Sequence, residues 1–112
     1  PSRRALTGGH DGTLKLWDID QGSVLRQLLP SGGGRAHGDA VTCLAVDWAG
    51  TSEAQALSGC QDGSLRFWGL GDKESVLHAT LYGHKGPVLC CALHAASGRG
   101  LSGSEDCSLL LW

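Results

Sequence analysis

The sequence contains no long apolar run and no block of like charges. No stretch approaches the roughly 18 consecutive apolar residues of a membrane span, and residues 1–6 lack the apolar core of a signal peptide. Nine Lys and Arg against eleven Asp and Glu give a formal net charge of −2, and neither sign forms a run of five. The composition therefore predicts neither a membrane partner nor a nucleic-acid partner.

Paired cysteine motifs are also missing. The five cysteines are Cys43, Cys60, Cys90, Cys91 and Cys107. Their odd number and the lack of a C-x-x-C spacing argue against a disulfide framework and a zinc site. Because Cys43, Cys90 and Cys91 stand in apolar runs, we expect them to be small buried hydrophobic residues in a reducing compartment, either the cytoplasm or the nucleus.

An internal repeat is the strongest signal in the sequence. Three segments, residues 6–17, 57–68 and 101–112, align without a gap, and in each a Thr or Ser precedes an Asp by four positions and a Trp follows that Asp by six. The residues in this register are Thr7, Asp11, Trp17, Ser58, Asp62, Trp68, Ser102, Asp106 and Trp112. A His that stands four residues before a Val precedes the second and third segments, as His37 and His84.

The two intervals between the motifs differ in length, and two inserts account for the difference. One is glycine-rich, at residues 31–35, and the other is polar, at residues 51–53. We expect both to be extensions of surface loops.

Short segments rich in apolar and β-branched residues surround each motif and indicate strands rather than helices. Asp62-Gly63 supplies hairpin turn chemistry and Asp11-Gly12 repeats it, whereas Asp106-Cys107 departs from it. The predicted strands include residues 23–28, 41–46, 54–59, 64–68, 75–81 and 88–93. The predicted unit is a set of four antiparallel strands.

These features together resemble the WD-repeat β-propeller family: a Gly-His pair, a Ser-Gly pair, an Asp-Gly turn and a terminal Trp-Asp, repeated about every 40 residues. The middle repeat departs from the family pattern at Ala36, where the pattern has Gly, and at Gly69, where it has Asp. The resemblance implies an all-β fold, a partial β-propeller of four-stranded antiparallel blades with about two and a half repeats.

The resemblance also implies how the chain divides into blades. Residues 1–29 would supply strands b, c and d of a partial blade, residues 37–81 a complete blade, and residues 83–112 strands a, b and c of another partial blade. All of residues 1–112 would belong to one propeller. Since 112 residues are too few to close a ring, we expect a longer parent chain whose remaining blades are partners of this segment.

In WD repeats the motif residues form a hydrogen-bonded network inside each blade. The network residues implied here are His37, Ser58, Asp62 and Trp68, then His84, Ser102, Asp106 and Trp112, and finally Thr7, Asp11 and Trp17, whose His would lie upstream. Ser, His and Asp are also the residue types of a hydrolase triad. Because one active site needs a single triad and this set recurs, we predict a structural role and no catalytic residue. No complete metal-binding or phosphate-binding motif is present in the sequence, so we also predict no cofactor and no metal.

Loops at one end of the blades are where the resemblance places function. The candidate partner contacts on that face, here called the loop rim, are His10, Asp39, Gln61, Lys85 and Glu105. Each could equally be a solvated loop residue. Trp48 stands outside the repeat register and is either an exposed aromatic anchor or a residue packed beneath its blade.

Three functions of different classes are compatible with the resemblance, and one of them, a nucleic-acid-binding set of blades, is disfavoured because the sequence lacks a basic stripe. Two others are favoured. The first is a non-catalytic scaffold that binds other proteins or peptides. The alternative is the propeller domain of a larger protein whose enzymatic module, of the kinase, NTPase or ubiquitin-ligase type, lies outside these residues.

Overall fold

The computed structural model describes residues 3–30, 33–48 and 53–112, which form three antiparallel sheets. Four residues of the two predicted inserts, Ser31, Gly32, Thr51 and Ser52, lie outside the described residues. Of the rest of the glycine-rich insert, Gly33 and Gly34 both have positive φ angles, +82° and +87°.

The strands of each sheet follow one another in chain order. The first sheet contains β1 (Arg4–Gly8), β2 (Leu14–Asp18) and β3 (Ser23–Gln27); the middle sheet contains β4 (Val41–Asp47), β5 (Ala54–Cys60), β6 (Leu65–Leu70) and β7 (Ser75–Leu81); and the third contains β8 (Val88–His94), β9 (Arg99–Ser104) and β10 (Leu109–Leu111). A short 3-10 helix, Ala95–Ser97, separates β8 from β9. The all-β prediction and the four-stranded antiparallel unit are confirmed. No helix in the described ranges is long and apolar enough to cross a membrane.

The sheets repeat one another down to their irregularities. The pairing of β2 with β3 shifts register between Leu16 and Trp17, and the pairing of β6 with β7 shifts at the equivalent Phe67 and Trp68. The first and second strands of the middle and third sheets also share a shift, which begins at Val41 and Val88. A bulge increases the local twist of a strand, so equivalent strands are twisted at equivalent places.

Two apolar clusters fill the spaces between the sheets. Along β2 the buried residues Leu14, Leu16 and Asp18 alternate with less buried ones, as expected for a strand with one covered face. The first cluster contains the buried residues Leu14, Leu16, Leu28, Ala36, Ala56, Trp68 and Leu70. The second contains Leu57, Leu65 and Val88, with Cys43, Phe67, Leu81, Cys91, Leu93 and Trp112 packed against them. Full burial of one such side chain contributes about 1.5–3 kcal/mol, so these clusters hold neighbouring sheets together.

The hairpin turn of one sheet packs against the loop that enters the next sheet. Gly12 has a φ of +83°, and a Cβ there would lie 2.5 Å from the carbonyl oxygen of His37. Gly63 has a φ of +90°, and its Cβ would lie 3.0 Å from the carbonyl oxygens of His84 and Gly86. Glycine is thus required at both turns, for its backbone conformation and for close approach.

Cysteine burial differs in part from the prediction. Cys60 is buried and Cys43 and Cys91 are half-buried, but Cys90 is exposed, as is Cys107, and all five thiols are free. The expectation that Cys90 is buried is therefore wrong. Successive side chains on a strand point to opposite faces, so Cys91 packs against the middle sheet and Cys90 faces away from it.

Candidate functional site

Motif residues of the third sheet meet in one hydrogen-bonded chain. The indole Nε1 of Trp112 donates to Ser102 Oγ at 2.8 Å, and His84 Nε2 lies 2.7 Å from the same oxygen. His84 Nδ1 lies 2.9 Å from Ser108 Oγ and 3.4 Å from Asp106 Oδ2. The Ser108 hydroxyl donates to Asp106 Oδ1 at 2.5 Å.

These contacts determine which nitrogen of His84 carries the proton. Because the hydroxyl hydrogen of Ser108 is used by Asp106, its oxygen accepts from the imidazole, and Nδ1 is the donor. Nε2 then accepts from the Ser102 hydroxyl, whose oxygen accepts from Trp112. The donors all point the same way, from the indole towards the carboxylate, which strengthens each bond in turn.

The middle sheet has only part of this arrangement. Trp68 Nε1 donates to Ser58 Oγ at 3.0 Å, and His37 Nε2 lies 2.7 Å from that oxygen. Asp62 Oδ1 accepts the hydroxyl and the N–H of Ser64, at 2.6 and 2.9 Å, as Asp106 does from Ser108. Within the described residues, His37 Nδ1 is buried without a hydrogen-bond partner. The structure thus brings together His37, Ser58 and Trp68 and leaves Asp62 in the turn.

Burial also sets the charge state of His37. The side chain is 1% exposed, and this desolvation, with the nearby Arg66 guanidinium, lowers the pKa of His37 to about 4, against a smaller opposing effect of Asp62. The imidazole is therefore neutral at neutral pH.

In the first sheet the equivalent residues are open to solvent. Trp17 Nε1 donates to Thr7 Oγ1 at 2.8 Å, while Asp11 Oδ1 accepts the hydroxyl of Thr13 at 2.6 Å. Thr7, Asp11 and Trp17 line an open cavity of about 460 Å³, which His10 and Lys15 also border. The Trp-hydroxyl pair is therefore present in this sheet, but among the described residues no His side chain hydrogen-bonds to the Thr7 hydroxyl.

A hydroxyl residue two positions after each motif Asp also belongs to the site, although it was not predicted from the sequence. Thr13, Ser64 and Ser108 each donate a hydroxyl and a backbone N–H to the Asp that precedes them. The Ser108 hydroxyl, followed by the Lys85 N–H, holds the pKa of the Asp106 carboxyl well below its usual range. The three aligned segments all carry this Ser or Thr, so the signal was available: Asp followed by a hydroxyl residue favours a side-chain-closed turn.

The loop rim has a fixed backbone and exposed side chains. Because paired strands run antiparallel, the loops entering β4 and β8 lie at the same end of their sheets as the β5–β6 and β9–β10 hairpins. The β1–β2 hairpin packs against the loop entering β4 at that end. All five rim side chains, His10, Asp39, Gln61, Lys85 and Glu105, are exposed. Their backbones are held by bonds such as Gln61 N to Ala40 O at 2.9 Å and Glu105 N to Pro87 O at 3.0 Å. The rim therefore presents charges of both signs on an ordered frame.

Trp48 does not belong to this rim. It follows β4, at the opposite end of the middle sheet, and is 46% exposed. No group of three His, Cys, Asp or Glu side chains in residues 3–30, 33–48 and 53–112 is arranged to hold a metal ion.

Known proteins share both the sequence pattern and the fold of this chain. The family profile described as WD domain, G-beta repeat, matches residues 1–18, 29–69 and 75–112. The ribosome biogenesis protein YTM1 of Ajellomyces capsulatus is 31% identical over 115 residues, covering 97% of this chain and 22% of its own length. The type II inositol polyphosphate 5-phosphatase 15 of Arabidopsis thaliana is 32% identical over 120 residues, covering 98% of this chain and 10% of its own length.

A solved structure agrees with these sequence matches. The crystal structure of the computationally designed Ika4 protein aligns with 100% of this chain and 61% of its own chain, with a TM-score of 0.74 and 25% sequence identity. The chain thus spans about a fifth of the length of the ribosome biogenesis relative, and a smaller share of the phosphatase.

Proposed function

Since the chain belongs to the WD-repeat β-propeller family, we propose that it forms part of a rigid, non-catalytic platform that binds other proteins or peptides. The observation that carries this proposal is the loop rim, where backbone hydrogen bonds fix the loops and all five rim side chains are exposed. A surface ordered before binding loses little conformational entropy when a partner docks. The net charge of −2 favours protein over nucleic acid as the partner.

We also propose that the three sheets are one complete blade, within residues 37–81, and two partial blades, within residues 1–29 and 83–112. The matching register shifts in equivalent strands support this division. The remaining blades of a longer chain would then cover the outer faces of the first and third sheets. On the third sheet, Leu109 and Leu111 are exposed.

The geometry of Ser58 and His37 favours a structural role over catalysis. Ser58 is 0% exposed, and its oxygen already accepts the indole N–H of Trp68. A nucleophile must reach the reacting atom of a substrate, and this hydroxyl lies beneath the sheet surface.

The ribosome biogenesis relatives suggest which assembly to examine first. Proteins of that name from several fungi align with nearly the whole of this chain. On this basis we propose an intracellular location and a pre-ribosomal particle as the first assembly in which to look for partners.

Charge reversal at the rim tests the platform proposal in the full-length protein. Lys85→Glu combined with Glu105→Lys swaps two exposed rim charges, and Lys73→Glu combined with Glu74→Lys makes the same swap at the opposite end of the middle sheet. We expect the double variant at the rim to recover a defined set of co-purified proteins in amounts at least 10-fold lower than the wild type. The double variant at the opposite end should recover them at the wild-type amount. Equal binding by both folded variants would show that the rim is not the docking surface.

A second candidate is supported by the phosphatase match, because that protein carries the name of an enzyme and this chain covers only 10% of it. An enzymatic module outside residues 1–112 would give the parent protein an activity that this chain does not perform. Assay of the full-length protein with and without Ser58→Ala distinguishes the cases. Activity that survives the substitution places the chemistry elsewhere, whereas its loss from a folded variant contradicts the non-catalytic proposal.

A further inference from the structure

A small cavity lies between the middle and third sheets and has a volume of about 160 Å³. Its apolar lining comes from both sheets, with Leu57, Phe67, Ala79 and Leu81 on one side and Leu93 and Trp112 on the other. Among the described residues that line it, Arg99 alone carries a charge. Sites for drug-sized ligands measure roughly 300–1,000 Å³, so this cavity has the size for one large apolar side chain.

Arg99 stands at the edge of the cavity with its side chain exposed. None of the ion pairs within the described residues involves this guanidinium. The backbone before it is nevertheless held, because Gly98 N–H donates to the Ala95 carbonyl oxygen and Ala95 N–H donates to Asp47 Oδ2, both at 3.0 Å. A cation at an ordered position beside an apolar cavity favours a ligand that carries an anion next to an apolar group.

The equivalent groove between the first and middle sheets is bridged by Arg26. Phe67 pairs with Ala79 on the middle sheet, and at the aligned position of the first sheet Leu16 pairs with Arg26. The Arg26 guanidinium crosses to the middle sheet and donates to Ser75 Oγ at 2.8 Å. The Ala79 methyl group cannot form such a bridge, so the groove beside the third sheet lacks this closure.

We propose that the cavity is a docking site for the C-terminal residue of a partner protein, whose apolar side chain enters the cavity while its terminal carboxylate binds Arg99. In a C-terminal residue the side chain and the carboxylate leave the same Cα, so both can reach one small site. A planar guanidinium can form two parallel hydrogen bonds with a carboxylate. The inference rests on the proposed protein-binding platform and gives it a second surface, apart from the loop rim.

Binding of short peptides to the full-length protein tests the proposal. The probe is a fluorescein-labelled peptide, Gly-Ser-Gly-Ser-Leu-Phe, with a free C-terminal carboxylate, and the comparison peptide is its C-terminal amide. Because the amide lacks the charge that Arg99 binds, we expect fluorescence anisotropy to give a dissociation constant at least 10-fold lower for the free acid. In Arg99→Gln the two peptides should bind equally and weakly.

Three variants of the protein are the controls. Ala79→Leu places a larger side chain in the cavity and should weaken binding of the free acid at least 10-fold without lowering the thermal unfolding temperature. Lys73→Gln removes an exposed cation from the turn between β6 and β7, outside the cavity lining, and should bind like the wild type. The rim variant, Lys85→Glu with Glu105→Lys, should also bind like the wild type, so that a failure of the rim proposal is distinguishable from a failure of this one.

Four results would overturn the docking site. The first two are equal binding of the free acid and the amide by the wild type, and unchanged affinity in Arg99→Gln or Ala79→Leu. The third is equally tight binding of a peptide extended beyond its Phe by Gly-Gly, because its terminal carboxylate no longer adjoins the apolar side chain. The fourth is a lack of binding at about 1 mM free acid, which would mean that another part of the full-length protein covers the cavity.

Discussion

The Trp68 indole and the Ser58 hydroxyl are joined by a 3.0 Å hydrogen bond that lies wholly inside the protein. The equivalent pair in the first sheet, Trp17 and Thr7, has a similar bond of 2.8 Å but is not buried. The two pairs have the same motif positions and nearly the same geometry. Their surroundings differ, so they separate the contribution of burial from that of the bond itself.

Removal of the two hydroxyls should therefore have unequal effects. Ser58→Ala leaves both the indole N–H and the His37 imidazole without a partner in the interior, so we expect the free energy of unfolding to fall by about 2–4 kcal/mol. In Thr7→Ala the indole N–H of Trp17 can bond to water instead, so the free energy of unfolding should fall by less than about 1 kcal/mol. Urea denaturation of both variants measures the difference. Equal losses would mean that burial of the network has no energetic consequence.

Replacement of the turn residue Cys107 by glycine should stabilise the folded protein. Its φ is +69°, a left-handed conformation that Gly12 and Gly63 adopt at the equivalent positions. Because a side chain is strained there, Cys107→Gly should raise the free energy of unfolding by about 0.5–1 kcal/mol. Cys107→Ser keeps a Cβ and should give no gain, so a comparable increase in that variant would point to the thiol rather than the backbone.

The guanidinium of Arg26 ties the first sheet to the turn between β6 and β7. It donates to Ser75 Oγ at 2.8 Å, to the Asp72 carbonyl at 3.1 Å, and to the Gly71 carbonyl. Because three fixed acceptors match its planar donors, we expect Arg26→Lys as well as Arg26→Gln to reduce the free energy of unfolding by about 1 kcal/mol.

The exposed pair of Arg3 and Asp20 is the control for this prediction. Arg3 is 77% exposed, and Arg3→Gln should change the free energy of unfolding by less than about 0.5 kcal/mol. If Arg26→Lys matched the wild type in thermal and urea unfolding, the contacts between the sheets would depend on charge alone and not on the shape of the guanidinium.

Stability should fall in acid because of His37. Its pKa of about 4 in the folded protein lies below the ordinary value of 6.5, so the unfolded chain takes up a proton first as the pH falls. The free energy of unfolding is therefore highest above pH 6.5, where His37 is neutral in both states. Between about pH 6.5 and 4 it should fall by on the order of 2–3 kcal/mol. Urea titrations across this range measure it.

His37→Asn is the variant for comparison, because it removes the titrating group. It should be less stable than the wild type at pH 7.5 and should show a shallower decline towards pH 4. Parallel pH profiles for the two proteins would assign the acid sensitivity to another group.

Features fixed by contacts close in sequence were predictable. The gapless spacing between each hydroxyl residue and its Trp places both on one hairpin, and the observed pairs Ser58–Trp68 and Ser102–Trp112 follow from that register. The strands β5 and β7 were predicted within one residue of their observed ends. The strand β6 continues past the motif Trp because Gly69 and Leu70 still pair with β5, and a glycine gives no local signal of such pairing.

Sequence by itself thus determined the all-β fold, the hairpin registers and the positions of the rim loops, since each depends on residues a few positions apart on one hairpin or turn. Only the tertiary structure decided the relations between elements. It gave His84 a partner for its second nitrogen and, among the residues that the structure describes, left His37 Nδ1 without one, and it directed Cys90 and Cys91 to opposite faces. These outcomes depend on the rotation and separation of packed sheets, which follow from many side-chain contacts at once and are not encoded in any single repeat.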